Sequence, residues 1–93
     1  LSLAVWGGHR ELAEFLLSKK ADPNAQDVGG GRPIHWAAYQ NSRELVDLLL
    51  DYKADINAPD FEGRTPLDAA RKGHHKEMID YLKGKGAVPG VGP

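Results

Sequence analysis

Hydrophobic residues in this chain recur at helical spacing, in short segments set apart by polar stretches rich in glycine and proline. Leu45, Val46, Leu48 and Leu49 form a broad apolar stripe within "RELVDLLLDYK", whose other positions are mostly charged. Such a stripe describes a helix that buries one side. Upstream, Ile34, Ala37 and Ala38 sit at i, i+3 and i+4, a narrow face of small residues that lets a short helix pack closely. Pro33 and Pro66 suit the first position of that short helix, where a missing N–H costs nothing. Thr65 is placed to cap it, and Asp68 three residues later makes an approximate capping box with a negative charge in the first turn. Between the second helix of one pair and the first of the next lie "ADPNAQDVGGGR" and "ADINAPDFEGR". Their Asp, Asn, Gly and Pro predict turns compatible with a projecting hairpin.

The pattern also repeats. "RELAEFLLSKKADPNAQD" (10–27) and "RELVDLLLDYKADINAPD" (43–60) align without a gap at an offset of 33. Over residues 1–27 against 34–60, 12 positions are identical, where ordinary composition would give about two. The same offset carries Gly30, Pro33, Ala37, Glu44, Asp47, Leu49 and Ala54 onto Gly63, Pro66, Ala70, Glu77, Asp80, Leu82 and Ala87. Three copies of one unit result: residues 1–29, lacking an opening; 30–62; and 63–87, lacking an ending. Residues 88–93 read as a flexible tail.

"GGRPIHWAAYQNSRELVDLLLDYKADINAPD" (30–60) and "GRTPLDAARKGHHKEMIDYL" (63–82) resemble the ankyrin-repeat family, with its 33-residue period and T-P-L-H-x-A signature. The resemblance covers residues 1 to 87. It implies an all-α solenoid of three stacked helix-turn-helix units, with hairpin fingers roughly perpendicular to the helices. It further implies a non-enzymatic module that binds a protein or peptide on the concave surface made by the fingers and first helices. The alternative is a regulatory or targeting domain of a larger enzyme, channel or multi-subunit complex.

Departures from the family pattern carry information. Arg32 stands where the threonine cap is expected and has no lone pair to offer helix N–H groups, so a contact elsewhere is its expected use. The glycine ending the first helix is Gly8 in repeat one but Asn41 and His74 in the others, types that tolerate positive φ. After the second helix the usual glycine is Lys20 and Lys53, with only Gly86 conforming, which predicts local strain at both lysines. Lys83 replaces the leucine found at Leu17 and Leu50, giving the last repeat the polar outer face of a cap. Leu1 aligns with Ile34, so the first repeat is expected to need cover from further repeats or another chain.

Composition narrows the function classes. A 93-residue chain with 41% hydrophobic residues buries a modest core. A formal charge of −1 gives no electrostatic reason to expect nucleic acid or an anionic membrane. No apolar run approaches the roughly 20 residues that cross a bilayer, so direct membrane insertion is not expected. With no cysteine, disulfides, cysteine–zinc sites and thiol catalysis are excluded. The setting expected is intracellular, cytoplasmic or nuclear, with an organelle as the alternative.

Chemically suggestive residues read mainly as scaffold. His35 takes the family's histidine position, where the resemblance implies hydrogen bonds that tie hairpins together. His74 and His75 adjoin at a turn without a third ligand at suitable spacing, so no metal site is expected. Asp22, Asn24, Asp55 and Asn57 repeat at offset 33, which fits turn-stabilising bonds better than catalysis. Gly29, Gly30 and Gly31 lack the following lysine of a phosphate loop. No catalytic residue, cofactor or metal ligand is assigned.

The candidates for partner binding are the positions that vary between copies: Trp6, Arg32, Trp36, Tyr39, Phe61, Glu62, Arg64 and Lys72. Aromatic and arginine side chains bury large areas at modest entropic cost. For Trp6, Trp36 and Tyr39 the plain alternative is packing between adjacent first helices.

Overall fold

A computed structural model describes residues 1–90. Among them are six helices and no strand: α1 (Ser2–Trp6), α2 (Arg10–Ser18), α3 (Pro33–Tyr39), α4 (Arg43–Asp51), α5 (Pro66–Lys72) and α6 (Lys76–Gly84). Pro33 and Pro66 start α3 and α5, where their fixed φ is already helical. Ser42 caps α4 by accepting the Leu45 N–H on its hydroxyl at 3.3 Å.

Every helix pair closes through one backbone device. Gly8, Asn41 and His74 end the first helices at φ of 74°, 60° and 58°. The N–H of the following residue reaches back to the carbonyl five positions earlier: His9 to Ala4, Ser42 to Ala37 and His75 to Ala70, at 2.9 to 3.1 Å. Lys20, Lys53 and Gly86 end the second helices the same way, at φ of 73°, 72° and 95°. Ala21, Ala54 and Ala87 donate to the carbonyls of Leu16, Leu49 and Leu82. These are Schellman closures, which satisfy the last carbonyls of each helix. The two lysines hold the left-handed conformation that the sequence implied, at a cost of about 1–2 kcal/mol each relative to glycine.

The first helices form one layer, with α3 packed between α1 and α5, while α2, α4 and α6 lie behind. Ala4, Ala37, Ala38 and Ala70 are buried in the front layer, and their small size lets its backbones approach. Behind them Val5, Ile34, Leu45, Leu49, Leu67 and Leu82 are buried with almost no exposure. The side of the stack that carries the first helices and the hairpins is hollowed by a groove, and this is its concave side.

Side chains bind one repeat to the next through backbone partners. Asn24 Oδ1 accepts the Asp55 N–H at 2.7 Å while its amide donates to the Lys53 carbonyl at 3.3 Å. Asn57 repeats this with Val88 and Gly86, at 2.9 and 3.3 Å. Asp22 and Asp55 serve their own turns, accepting from Asn24 and Asn57. The aspartates therefore hold loops, and the asparagines hold repeats together. His35 Nδ1 accepts the Arg32 N–H at 3.0 Å, which places the ring proton on Nε2, 2.9 Å from the Arg64 carbonyl.

In the third repeat Asp68 takes the histidine's place, accepting the N–H groups of Thr65 and Gly90 on Oδ2. The Thr65 hydroxyl donates to the Val88 carbonyl at 2.8 Å. The chain from Val88 to Gly90 thus runs along repeat three where the sequence suggested a free end; these residues supply the backbone partners that a following hairpin would offer. Residues 91–93 of the expected tail lie outside the described residues.

Candidate functional site

A groove of about 480 Å³ runs along the concave side. Its helical wall is Trp6, Trp36, Tyr39 and Lys72; its hairpin wall includes Asp27, Gly31, Asp60 and Arg64. The offset of 33 explains the helical wall, because Trp6, Tyr39 and Lys72 occupy the same place in successive first helices. Trp36 takes the neighbouring register, one helical turn earlier than Tyr39. Residues three apart share a helix face, so these side chains converge on one surface.

The aromatic end is ordered by contact. Trp6 and Trp36 meet nearly edge to face, with ring centroids 4.8 Å apart and planes at 78°. This arrangement suits the ring quadrupoles. Trp6 remains 52% exposed, so the pair is only half used by the fold. The Trp36 indole N–H donates to Asp27 Oδ2 at 2.9 Å.

Two aspartates shape the hairpins. Asp27 Oδ1 accepts the N–H groups of Gly29 and Gly31, both at 2.9 Å. Asp60 Oδ1 accepts those of Glu62 and Arg64, one repeat later, at 2.8 and 2.9 Å. The second oxygens differ: Oδ2 of Asp27 takes the indole, while Oδ2 of Asp60 takes the Arg64 Nε at 3.0 Å. Burial pushes both carboxyls up, but these donated hydrogen bonds outweigh it and hold both below the usual aspartate range. Arg64 is shifted up in turn by its bond to Asp60 and by the nearby charges. It also lies 3.3 Å from Glu62.

Of the eight interface candidates, Trp6, Trp36, Tyr39, Arg64 and Lys72 line the groove. The other three stand apart from it. Arg32 is spent on the scaffold: its Nη1 donates to the Asn24 carbonyl at 2.8 Å and its Nε to the Pro59 carbonyl at 3.2 Å. It clamps two successive loops. Phe61 sits at a finger tip, 69% exposed, with its ring over Gly30, where a Cβ would collide with it. Glu62 is held toward Arg64 on the same finger.

Asp27, Asp60 and Asp68 line the groove without having been picked out as candidates. The repetition of Asp27 at Asp60 marks them as structural, and their Oδ1 bonds agree; only the differing second oxygen faces anything specific to each repeat. Among the described residues no group of three or more histidine, aspartate or glutamate side chains could hold a metal ion. No helix among them is long and apolar enough to cross a membrane.

The family model for ankyrin repeats matches three copies over residues 1–91. The chain belongs to the ankyrin-repeat family. Ankyrin repeats are in general modules of protein–protein interaction and typically non-enzymatic scaffolds. No curated protein matches the chain significantly. In this ankyrin stack the bonds that repeat every 33 residues build hairpins and join repeats, whereas Trp6, Tyr39 and Lys72 keep that register but change residue type, and with Trp36 they line the groove.

Proposed function

We propose that this ankyrin module binds a protein or peptide partner along its concave groove and performs no catalysis of its own. The observation that carries the reading is the wall of Trp6, Trp36 and Tyr39, aromatic surface left partly exposed beside Arg64 and Lys72. Exposed aromatic surface bordered by charge is the composition of interface hot spots. The groove histidine, His35, has both ring nitrogens committed to backbone groups, so it holds no base ready for a substrate.

A second reading is favoured by Leu3, Leu12 and Phe15, which leave much of their apolar surface exposed on the first repeat. They support a regulatory or targeting module packed within a larger chain or complex; the setting proposed for it is intracellular, cytoplasmic or nuclear, with an organelle as the alternative. The two readings are compatible, since the groove and that surface are separate.

Affinity capture from the source cell tests the groove directly. A Tyr39→Ala/Lys72→Glu variant should lose the partner, while Glu77→Ala, exposed on α6, should retain it. Equal capture by the groove variant, or loss in the Glu77 variant, refutes the assignment.

A further inference from the structure

We propose that the corner formed by Trp6, Trp36 and the Asp27 carboxylate receives a cationic side chain of the partner, an ammonium or a guanidinium. This rests on the groove being the binding face, and it names what the aromatic end recognises.

The electrostatics of the corner point one way. Two indoles stand at 78° to each other with centroids 4.8 Å apart. Indole faces carry the negative part of the ring quadrupole and attract cations more strongly than other aromatic side chains do. The Trp36 N–H donates to the Asp27 carboxylate, and a donor polarised toward an anion leaves its ring richer in electrons. Three N–H donors hold Asp27 ionised, and among the described residues no cation pairs with it. His35, the nearest basic group to act on it, is tied to backbone through both ring nitrogens and forms no ion pair with it. Three of the roughly four acceptor sites of Asp27 are taken, so it would act on an occupant chiefly through its charge.

The chain's own cations supply the contrast. Lys19 stands over Phe15 at 5.6 Å, and Arg43 and Lys85 stand over Tyr81 at 4.0 and 5.3 Å. Among the described residues no cation covers Trp6 or Trp36. Arg64, the groove's arginine, is committed to Asp60 and Glu62. Lys72 belongs to α5, beyond Tyr39. The hairpin side of the corner is open as well, because Gly29 and Gly31 bring only backbone to Asp27; a Cβ on Gly31 would stand 3.1 Å from its Oδ2.

The experiment uses the two tryptophans themselves, the chain's full complement, as reporters. Blocked glycine-flanked peptides carrying one lysine, trimethyl-lysine or arginine are titrated against the protein. The uncharged carbon isostere of trimethyl-lysine and a glutamate peptide are the controls. Both indole N–H resonances and the fluorescence should shift along one saturation curve, with cationic peptides about three- to thirtyfold tighter than the isostere. Added salt should weaken them. Trp6→Leu, at an exposed position, should abolish the preference, and Trp36→Phe, which keeps a ring but loses the bond to Asp27, should reduce it. Binding of the isostere as tightly as the cations, a preference for glutamate, or no shift by any cation up to about 10 mM overturns the proposal. If partner capture depends on Tyr39 and Lys72 while the peptides show no charge preference, the groove reading stands and this inference falls. If capture survives the groove variant, both fall.

Discussion

Replacing His35 by alanine removes two bonds at once, one to the N-cap of its own helix and one to the hairpin of the next repeat. The side chain is 7% exposed, accepts the Arg32 N–H at 3.0 Å and donates to the Arg64 carbonyl at 2.9 Å. Without it a backbone donor and a backbone acceptor lose their partners, each at about 1–3 kcal/mol. Arg32 and Arg64 both reach solvent, so water recovers part of that loss, and the expected total is about 2–4 kcal/mol. Against a total stability of about 5–15 kcal/mol for a small domain, this is a large fraction. Urea unfolding followed by circular dichroism should show the midpoint falling by about 1–2 M with an unchanged slope. His35→Asp separates the two bonds. A carboxylate can accept the Arg32 N–H, as Asp68 accepts that of Thr65, but cannot donate to the Arg64 carbonyl. Its midpoint should fall between wild type and alanine. A loss below about 1 kcal/mol for His35→Ala, or an aspartate variant no better than alanine, refutes the two-bond account.

Lys20→Gly and Lys53→Gly relieve φ values of 73° and 72°; each should stabilise by about 0.5–1 kcal/mol after the entropy of glycine is subtracted, and unchanged or lower unfolding midpoints contradict this. Gly30→Ala meets both a φ of 83° and the Phe61 ring, so it should cost more than the roughly 1–2 kcal/mol of the backbone alone. Adding Phe61→Ala should restore only the steric part in a double-mutant cycle. Asp27 and Asp60 have folded pKa values below the ordinary 3.8, so the unfolded chain takes up protons first as pH falls. Their contribution is complete above that value and is lost as pH drops through the folded values. Unfolding midpoints measured from pH 5 downward should decline less steeply in Asp27→Asn, and parallel curves contradict the assignment.

The threefold repeat, the helix starts and the left-handed closures were legible residue by residue. Pro33 and Pro66 start helices wherever they stand, and Asn41, His74, Lys20 and Lys53 align with glycines that need positive φ. The groove was legible in part. Trp6, Trp36, Tyr39, Arg64 and Lys72 were separable as variable positions on a shared surface, whereas Arg32 carried the same signal and faces the scaffold. An arginine out of place in a cap looks alike in sequence whether it serves a partner or a neighbouring loop. The hydrogen bonds of Val88 and Gly90 had no sequence signal for a similar reason, since these backbone groups bond to Asn57, Thr65 and Asp68 with little help from side-chain type.

The sequence by itself determined the unit, its period and the local conformations, because helix faces, proline starts and left-handed turns depend on residues a few positions apart. Tertiary structure alone decided how the polar and aromatic side chains are divided. A carbonyl at Asn24 or Arg64 is chemically like any other, and only the stacking of one repeat on the next brings Arg32 or His35 within reach of it. The same stacking sets Trp6 against Trp36, 30 positions apart, and leaves their surface and the Asp27 charge open to the groove.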